Sequence, residues 1–258
     1  MFSYKSIKLD QSNRIFYFKI TYFFITQILL LALVMNSLTE ENYLKALFNI
    51  ANKDGEVNVA ELSKSLDIKM PTVTSMMKKL SGKKLVHYES YKPLRLTEKG
   101  KKEAGLVIRK HRLTEMFLVE KMKMGWEDVH DIAEQIEHIQ SPVFFDKMDE
   151  LLDFPKIDPH GSPIPDRNGK VTSKDYKKLS ECQQGETVNL AAVINTSSAF
   201  LKFLNARQLH LGLKLKVKVI EPFDQSITIS YGKNQSETLS NVVSERLLVE
   251  RKADNPPA

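Results

Sequence analysis

Apolar residues recur at helical intervals from residue 36 onward. In LTEENYLKALFNIAN, four apolar residues share one helix face: Leu44, Leu47, Phe48 and Ala51. Thr39 and the acidic residues after it supply the cap that such a helix needs at its N-terminus. A short second helix is predicted over VNVAELSKSLD. A third is predicted over MPTVTSMMKKLSGKK, with Pro71 in its first turn and Gly82 where it should stop.

The next stretch, LVHYESYKPLRLTEKG, alternates between apolar and polar residues. This pattern is typical of a two-stranded ribbon, which here would turn around Ser90–Pro93. A helix, a helix-turn-helix and a ribbon make up a winged helix-turn-helix. We therefore assign residues 35–100 to a DNA-binding domain of that kind, with Met76 or Leu80 of the third helix in its core.

Helical spacing resumes after the ribbon. A long helix is predicted from about Glu98 to Lys123, and shorter ones over HDIAEQIEH (residues 130–138) and over SPVFFDKMDELLD, which has Pro142 in its first turn. We assign residues 101–154 to a helical domain.

The pattern changes again in the last hundred residues. Residues 155–165 hold four of the ten prolines, so they are predicted to be extended and helix-free, and we assign residues 155–184 to a proline-rich linker. After Gly185 four segments alternate as strands do: ETVNLAAVI, LKLKVKVIE, QSITISYG and VVSERLLVE. With one helical insert, SSAFLKFLNAR, they predict a small β-barrel over residues 185–252. The fold class is therefore mainly α with a small β domain.

The first 34 residues contain no Gly or Pro and hold five of the thirteen Phe. Residues 20–34 are apolar enough to resemble a signal-peptide core or a short membrane span. However, Lys19 interrupts the segment, which falls short of the roughly 20 apolar residues that a span needs, and no small-x-small cleavage site follows. We expect translation to begin at Met35, with the preceding codons being upstream DNA read in frame. A membrane-tethered sensor is the alternative.

The net charge of +6 is unevenly distributed. Residues 69–112 carry thirteen Lys or Arg against three Glu, a balance of +10, whereas residues 113–158 carry twelve Asp or Glu against four Lys, a balance of −8. A basic block followed by an acidic block indicates a polyanion-binding part joined to a cation-binding part. The single cysteine, Cys182, excludes an intramolecular disulfide and a thiolate-rich metal cluster, and it fits a reducing cytoplasm.

Histidine and acidic residues recur four positions apart between residues 111 and 138. Three pairs have this spacing: His111 and Glu115, His130 and Glu134, and Glu134 and His138. On a helix, two such side chains can reach one ion, and Glu137 would fall on the same face. Solvated helix pairs are the alternative for any single pair. Three of the six histidines converge with three glutamates, which favours a metal site, and nitrogen and carboxylate ligands suit Mn²⁺ or Fe²⁺.

The third predicted helix opens with small residues, as a helix that enters the major groove of DNA needs. These residues are Pro71, Thr72, Thr74 and Ser75. Basic residues around them are expected to contact phosphates without reading the sequence. They are Lys69, Lys78, Lys79, Lys92 and Arg95. An ordinary solvated surface is the alternative.

Taken together, these motifs resemble the diphtheria toxin repressor and manganese transport regulator family of metal-dependent bacterial transcription factors. The resemblance covers residue 36 to roughly residue 250. It rests on the order of ENYLKAL, PTVTSMMKKL, LTEKGKK, KHRLTEMFL, VHDIAEQIEHI and PHGSPIP. It implies a winged helix-turn-helix, a helical metal-binding and dimerisation domain, and a C-terminal SH3-like β-barrel.

The resemblance also implies two metal sites. The primary site would use Asn42, Glu134, Glu137 and His138, and the ancillary site would use His111, Glu115 and His130. Glu134 matches the glutamate of the manganese-type members, where the iron-type members have cysteine. Lys45 stands where the manganese regulators have a second acidic ligand, so their two-manganese cluster is not carried over. Thr196 and Ala199 stand where the iron-type barrel has Glu and Gln ligands, which is a further departure.

We therefore predict a homodimeric repressor, activated by Mn²⁺ with Fe²⁺ a close second, that binds palindromic operators of metal-homeostasis genes and is not an enzyme. A metal joining Asn42 to the helical domain would fix the orientation of the winged helix-turn-helix domain in each protomer. Only the metal-bound dimer would then match two half-sites about one helical turn apart. A metallohydrolase is the alternative from another class. Against it, no residue is evidently placed as a nucleophile or oxyanion donor, and the basic ribbon would be unexplained.

Overall fold

The structure is a computed structural model that describes residues 38–51, 54–172, 174–194, 197–233 and 235–251. These residues form two compact units, the first ending at Arg95 and the second beginning at Leu96. No helix within the described ranges is long and apolar enough to cross a membrane. The predictions made for residues 1–34 and for Thr196 lie outside those ranges.

The first unit contains three helices and a small sheet. Helix α1 occupies residues 38–50, α2 is Val59–Leu66 and α3 is Met70–Gly82. Strands β1 (Glu56–Val57), β2 (Val86–His87) and β3 (Leu94–Leu96) form a sheet of order β1-β3-β2. All three predicted helices and the ribbon are confirmed. Strand β1 was not predicted, because two residues are too few to show alternation.

Apolar residues of the helices make the core of this unit. Its fully buried side chains include Leu47, Leu62, Val73, Met77 and Leu80. The expected core position on α3 is therefore confirmed for Leu80, whereas Met76 is only half-buried and Met77 is the buried methionine. Gly82 does not end α3 in a left-handed conformation. The left-handed residue is Lys84, with a φ of 59°, two positions later.

Three helices begin the second unit. Helix α4 is Glu98–Glu120, and the Oγ1 of Thr97 accepts a hydrogen bond from the backbone N–H of Gly100 (3.0 Å), which caps its first turn. Helix α5 is His130–Ile136 and helix α6 is Pro142–Leu151, which begins after Ser141. The predicted extent of α5 is wrong at its C-terminal end. A tightened turn, closed by the Ile139 N–H donating to the Ile136 carbonyl (3.0 Å), ends it before residue 138.

Residues 155–165 contain no helix, as predicted, but they are docked against both neighbouring domains; later in the predicted linker a short 3-10 helix forms at Leu179–Glu181. Nη1 of Arg109 donates to the Pro165 carbonyl (2.7 Å), and the Val193 N–H donates to the His160 carbonyl (2.9 Å). Gly161 allows this approach. It has a φ of 88°, and a Cβ there would lie 2.2 Å from the Ala191 carbonyl oxygen. The segment therefore connects helix α4 to the β domain through specific hydrogen bonds.

A six-stranded antiparallel sheet forms the β domain. Its strands are β4 (Lys177–Lys178), β5 (Thr187–Val193), β6 (Lys214–Ile220), β7 (Ile227–Tyr231), β8 (Gln235–Leu239) and β9 (Leu247–Glu250), in the order β4-β9-β5-β6-β7-β8. Helix α7 (Ser198–Ala206) follows β5 and helix α8 (Asn241–Ser244) follows β8. Three of the predicted strands and the helical insert are confirmed, whereas the predicted strand VVSERLLVE is a strand only from Leu247, because Asn241–Ser244 form helix α8. Strands β4 and β8 were missed because they carry almost no apolar residues.

Candidate metal centre

Helix α4 places a histidine and a glutamate one turn apart inside the second unit. His111 and Glu115 are both buried, and such groups are expensive to bury unless they are paired. Nε2 of His111 lies 3.0 Å from Oε1 of Glu115 and 3.2 Å from Nδ1 of His130, the first residue of α5. The same glutamate oxygen lies 3.2 Å from Nδ1 of His130. The structure therefore brings together the three residues of the predicted ancillary site.

Three residues of the predicted primary site lie beside this cluster. Glu134 is on α5 and partly exposed, whereas Glu137 and His138 follow the last helical residue and Glu137 is completely buried. Oε2 of Glu137 lies 2.5 Å from Nδ1 of His111, and its Oε1 lies 3.7 Å from Nε2 of His138. Glu137 therefore contacts both His111 and His138, and the sharing of one ion by Glu134, Glu137 and His138 stays a prediction.

Asn42, the remaining predicted ligand, lies on helix α1 of the first unit. Its role as a metal ligand stays a prediction. Within the second unit, ligand atoms of His111, Glu134 and Glu137 lie within 4.8 Å of one another, as do those of His111, Glu115 and His130. The two predicted sites are therefore adjacent, and His111 lies close to ligands of both.

A further metal-capable group comprises Glu115, Asp158 and His160. Nε2 of His160 lies 2.9 Å from the Trp126 carbonyl, which can only accept, so this nitrogen carries the proton. Nδ1 of His160 is buried, has no hydrogen-bond partner among the described residues, and lies 3.6 Å from Oε2 of Glu115. When the ring is neutral, a lone pair faces a carboxylate oxygen; burial lowers the pKa of His160, but Glu115 and Asp158 raise that pKa by more. A divalent cation or a proton fits between them, so the donor set fits a metal ion.

The sequence contains only a weak indication that Glu115, Asp158 and His160 lie together. The PHGSPIP motif contains His160, but it lies 45 residues beyond Glu115 in the chain. Docking of the linker on α4 brings them together. The carboxylate of Asp158 accepts from the backbone N–H groups of His160 (2.8 Å) and Ser162 (2.9 Å), and it lies 3.4 Å from Nε of Arg112.

Burial and neighbouring charges move two of these carboxyl groups in opposite directions. Burial alone would raise the pKa of Glu115, but contacts from His111, His130 and His160 lower that pKa by more, so the carboxylate stays ionised. Burial, followed by the negative charge of Glu115, raises the pKa of Asp158 to about 6. Asp158 is therefore the carboxyl group of this cluster that protonates first as pH falls.

On the first unit, the residues at the start of α3 are available to a partner. Pro71, Thr72 and Ser75 are exposed, and Thr74 is half-buried. All five predicted basic residues are exposed as well: Lys69, Lys78, Lys79, Lys92 and Arg95.

Three of those basic residues already have acidic neighbours. Nζ of Lys79 lies 3.0 Å from Oε1 of Glu40, a buried residue of α1. Nζ of Lys92 lies 2.8 Å from Oε1 of Glu89. The Nε of Arg95 donates to Glu56 (3.1 Å) across strands β3 and β1. Lys69 and Lys78 have no acidic neighbour in the described part of the chain, which leaves them free for phosphates.

Family models match three consecutive parts of the chain. Residues 35–94 match the N-terminal DNA-binding domain of the iron-dependent repressors, and residues 97–166 match their metal-binding and dimerisation domain. Residues 177–251 match the FeoA domain. These three matches follow the same order as the winged helix-turn-helix, the helical domain and the β domain described above.

Individual proteins of that kind are similar to this chain. The HTH-type transcriptional regulator MntR of Oceanobacillus iheyensis is 32% identical over 118 residues, which are 46% of this chain and 80% of that protein. The iron-dependent repressor IdeR of Mycobacterium tuberculosis is 34% identical over 133 residues. That alignment covers 51% of this chain, and the chain spans 58% of the length of that relative.

Solved structures agree over a longer stretch. A manganese-dependent transcriptional repressor in complex with manganese has a TM-score of 0.76 at 27% identity, covering 83% of this chain and 100% of the other. The protein ScaR with bound Cd²⁺ has a TM-score of 0.72 at 29% identity, covering 83% of this chain and 99% of the other.

Proposed function

Because this chain belongs to the iron-dependent repressor family, we propose that it is a homodimeric transcriptional repressor, activated by a divalent metal ion, that binds palindromic operators of metal-homeostasis genes. One observation carries the proposal: the buried side chains of His111, Glu115 and Glu137 converge with the half-buried His130. Such a cluster costs free energy unless a cation or protons neutralise it. A repressor of this kind acts in the cytoplasm, where Cys182 stays reduced.

The metal that we propose is Mn²⁺, with Fe²⁺ a close second. The candidate ligands offer imidazole nitrogen and carboxylate oxygen, and no thiolate among the described residues is near them. Cys182 is buried in the β domain, where burial raises the pKa of its thiol. Hard and intermediate donors of this kind accept Mn²⁺ and Fe²⁺. Relatives named for manganese and for iron support the same pair of ions.

We assign seven residues to two ions. The first ion would use Asn42, Glu134, Glu137 and His138, and the second would use His111, Glu115 and His130. Oε2 of Glu115 remains directed at His160, so His160 and Asp158 are candidates for further ligands of the second ion. His111 supports this division, because its two ring nitrogens face different groups of ligands.

Exposed apolar side chains support the homodimer. Phe144 and Leu151 are 42% and 60% exposed, and their spacing of seven residues puts them on one face of α6. Val143, also on α6, is 70% exposed. An apolar surface of this kind on a helix of the family's dimerisation domain suits a second copy of the chain.

The experiment that tests this function is DNA binding to a duplex carrying the promoter of its own gene. We expect tight binding with Mn²⁺ and loss of that binding with a chelator. Glu137→Ala should abolish the Mn²⁺ effect. Asp131→Ala, an exposed acidic residue of the same helix that is outside the cluster, is the matched control and should bind as the wild type does. Equal DNA binding with and without metal would contradict the proposal.

A further inference from the structure

The wing of the first unit, residues 85–96, contains a tyrosine with an unusual combination of properties. Tyr91 has a φ of 64°, in the left-handed region, and its side chain is 107% exposed. A bulky residue with positive φ is strained. Nothing in the described part of the chain covers this ring, so no packing of the side chain offsets the strain.

The strain arises from the turn in which Tyr91 lies. The Lys92 N–H donates to the Glu89 carbonyl (3.2 Å), which closes a four-residue turn with Ser90 and Tyr91 at its centre. Only Tyr91 of these two has a positive φ. Such a turn favours glycine or asparagine at the third position. The chain therefore has a large aromatic residue at a position where the turn conformation favours glycine or asparagine.

The position of the turn in the first unit suggests which partner the Tyr91 ring contacts. The chain passes from α3 directly into the wing, because the Lys84 and Leu85 N–H groups donate to Ser81 and Leu80 carbonyls at the end of that helix (2.9 and 3.0 Å). The next residue after the tyrosine is the exposed Lys92. The ring is thus presented by the same compact unit as the predicted reading helix, beside a cation.

We propose that Tyr91 contacts the sugar–phosphate backbone of DNA, its ring packing on deoxyribose and its hydroxyl donating to a phosphate oxygen. This proposal rests on the proposed function, since it requires that the unit binds DNA. Tyrosine is among the side chains that contact phosphate, and such contacts fix the position of a protein on the duplex without reading sequence. Strained residues persist at binding surfaces when they serve the contact.

Tyr91→Gly is the decisive variant, because it removes the ring and also relieves the backbone. With Mn²⁺ present, we expect thermal stability to be equal or higher, and affinity to fall about tenfold for the promoter duplex and for an unrelated duplex of the same length. Tyr91→Phe, which loses only the hydroxyl, should lose about threefold. Phe223→Ala, which truncates an equally exposed aromatic residue of the β domain, is the control and should change nothing.

The salt dependence of DNA binding distinguishes the loss of a direct contact by Tyr91 from the displacement of a neighbouring lysine. Tyr91 is uncharged, so Tyr91→Gly should leave the slope of log affinity against log salt unchanged, whereas Lys78→Ala should make that slope shallower by about one unit. Wild-type affinity for Tyr91→Gly, a loss confined to the promoter duplex, or a shallower slope would each overturn the assignment of Tyr91. If the wild-type chain bound neither duplex with Mn²⁺, the proposed function itself would fail, and the assignment with it.

Discussion

Nδ1 of His111 lies 2.5 Å from Oε2 of Glu137, and this contact joins the two groups of proposed metal ligands. The ionised carboxylate can only accept, so Nδ1 carries a proton, and Nε2 presents its lone pair toward Glu115 and His130 when the ring is neutral. Histidines that bind metals are commonly oriented in this way by a carboxylate on the other nitrogen. Glu137 is thus a proposed ligand of one ion and the residue that orients a ligand of the other.

The first prediction follows from this double role. Glu137→Ala should remove the first ion and also weaken Mn²⁺ binding at His111, Glu115 and His130 by about 10- to 100-fold. His138→Ala should remove the first ion alone, because the contact of His111 with Glu137 survives. Calorimetric titration of each variant with Mn²⁺ measures both sites. Equal effects of the two substitutions on the second site would show that His111 is not oriented by Glu137.

Sequence patterns predicted the helices and most strands of this fold, but not how its parts dock. Helices α1 to α6 have the apolar spacing that local rules detect, and α4 and α6 also have the capping residues Thr97 and Ser141, whereas Thr39 lies inside α1 and does not cap it. The position of His160 depends instead on a linker held by Arg109 and by Gly161, whose close approach to strand β5 is a tertiary property. No periodic signal reports a contact of that kind.

In the candidate site, too, local spacing predicted some features and tertiary contacts determined the others. The spacing of His111 and Glu115 on one long helix predicted that they would share a neighbour, and His130 lies there. The prediction for Glu137 assumed that α5 continued through residue 138. The helix ends at Ile136, and the spacing alone could not show that the Glu137 carboxylate is buried against His111.

Asp158 leads to a prediction about pH. Its pKa is raised by burial to about 6 in the folded chain, against about 3.9 in an unfolded one. The folded state therefore holds this proton more tightly. The metal-free protein should lose roughly 3 kcal/mol of stability from this group as pH rises from about 4 to about 6, with no further change above that. Asp158→Asn should abolish this loss, because an amide oxygen can still accept from the His160 and Ser162 N–H groups.

Urea unfolding in a chelator at several pH values measures this effect. Asp158→Asn should be more stable than the wild type at pH 7 and similar to it below pH 4. Asp166→Asn is a control of opposite sign. Hydrogen bonds from the Lys170 and Asn168 N–H groups lower the pKa of the exposed Asp166, so its contribution is present at neutral pH and is lost as pH falls. A destabilised Asp158→Asn at pH 7 would show that the buried charge is compensated.

The exposed face of α6 gives a prediction about assembly. Leu151→Lys should convert the proposed dimer to a monomer, because it places a charge in an apolar interface. Operator binding should weaken as well, because a palindromic operator is bound by two DNA-binding domains, one from each protomer. Analytical ultracentrifugation measures the assembly. Val242→Lys, at a site of equal exposure in the β domain (58% against 60%), should stay dimeric. A dimeric Leu151→Lys would place the interface elsewhere.

The last prediction concerns the choice of metal. A soft sulfur ligand biases a site toward later transition metals, whereas carboxylate, amide and imidazole ligands accept weakly binding Mn²⁺. The family resemblance implies that Asn42 stands where the family has a Met or Asp ligand and that Glu134 stands where the iron-type members have cysteine, so the proposed primary site has no sulfur ligand. We therefore expect the double variant Asn42→Met, Glu134→Cys to shift activation of DNA binding from Mn²⁺ toward Fe²⁺.

Glu134 is suited to this exchange because it is partly exposed and lies 3.7 Å from Nε2 of His130, so a shorter side chain leaves the buried Glu137 and His111 in place. The measurement is promoter binding in anaerobic buffers of fixed free Mn²⁺ or Fe²⁺. The matched control is Lys45→Ala, on the same helix as Asn42, which alters no proposed ligand and should keep the wild-type order of metals. A wild-type protein that responds to Fe²⁺ but ignores Mn²⁺ would refute ligand softness as the basis of selectivity at this site.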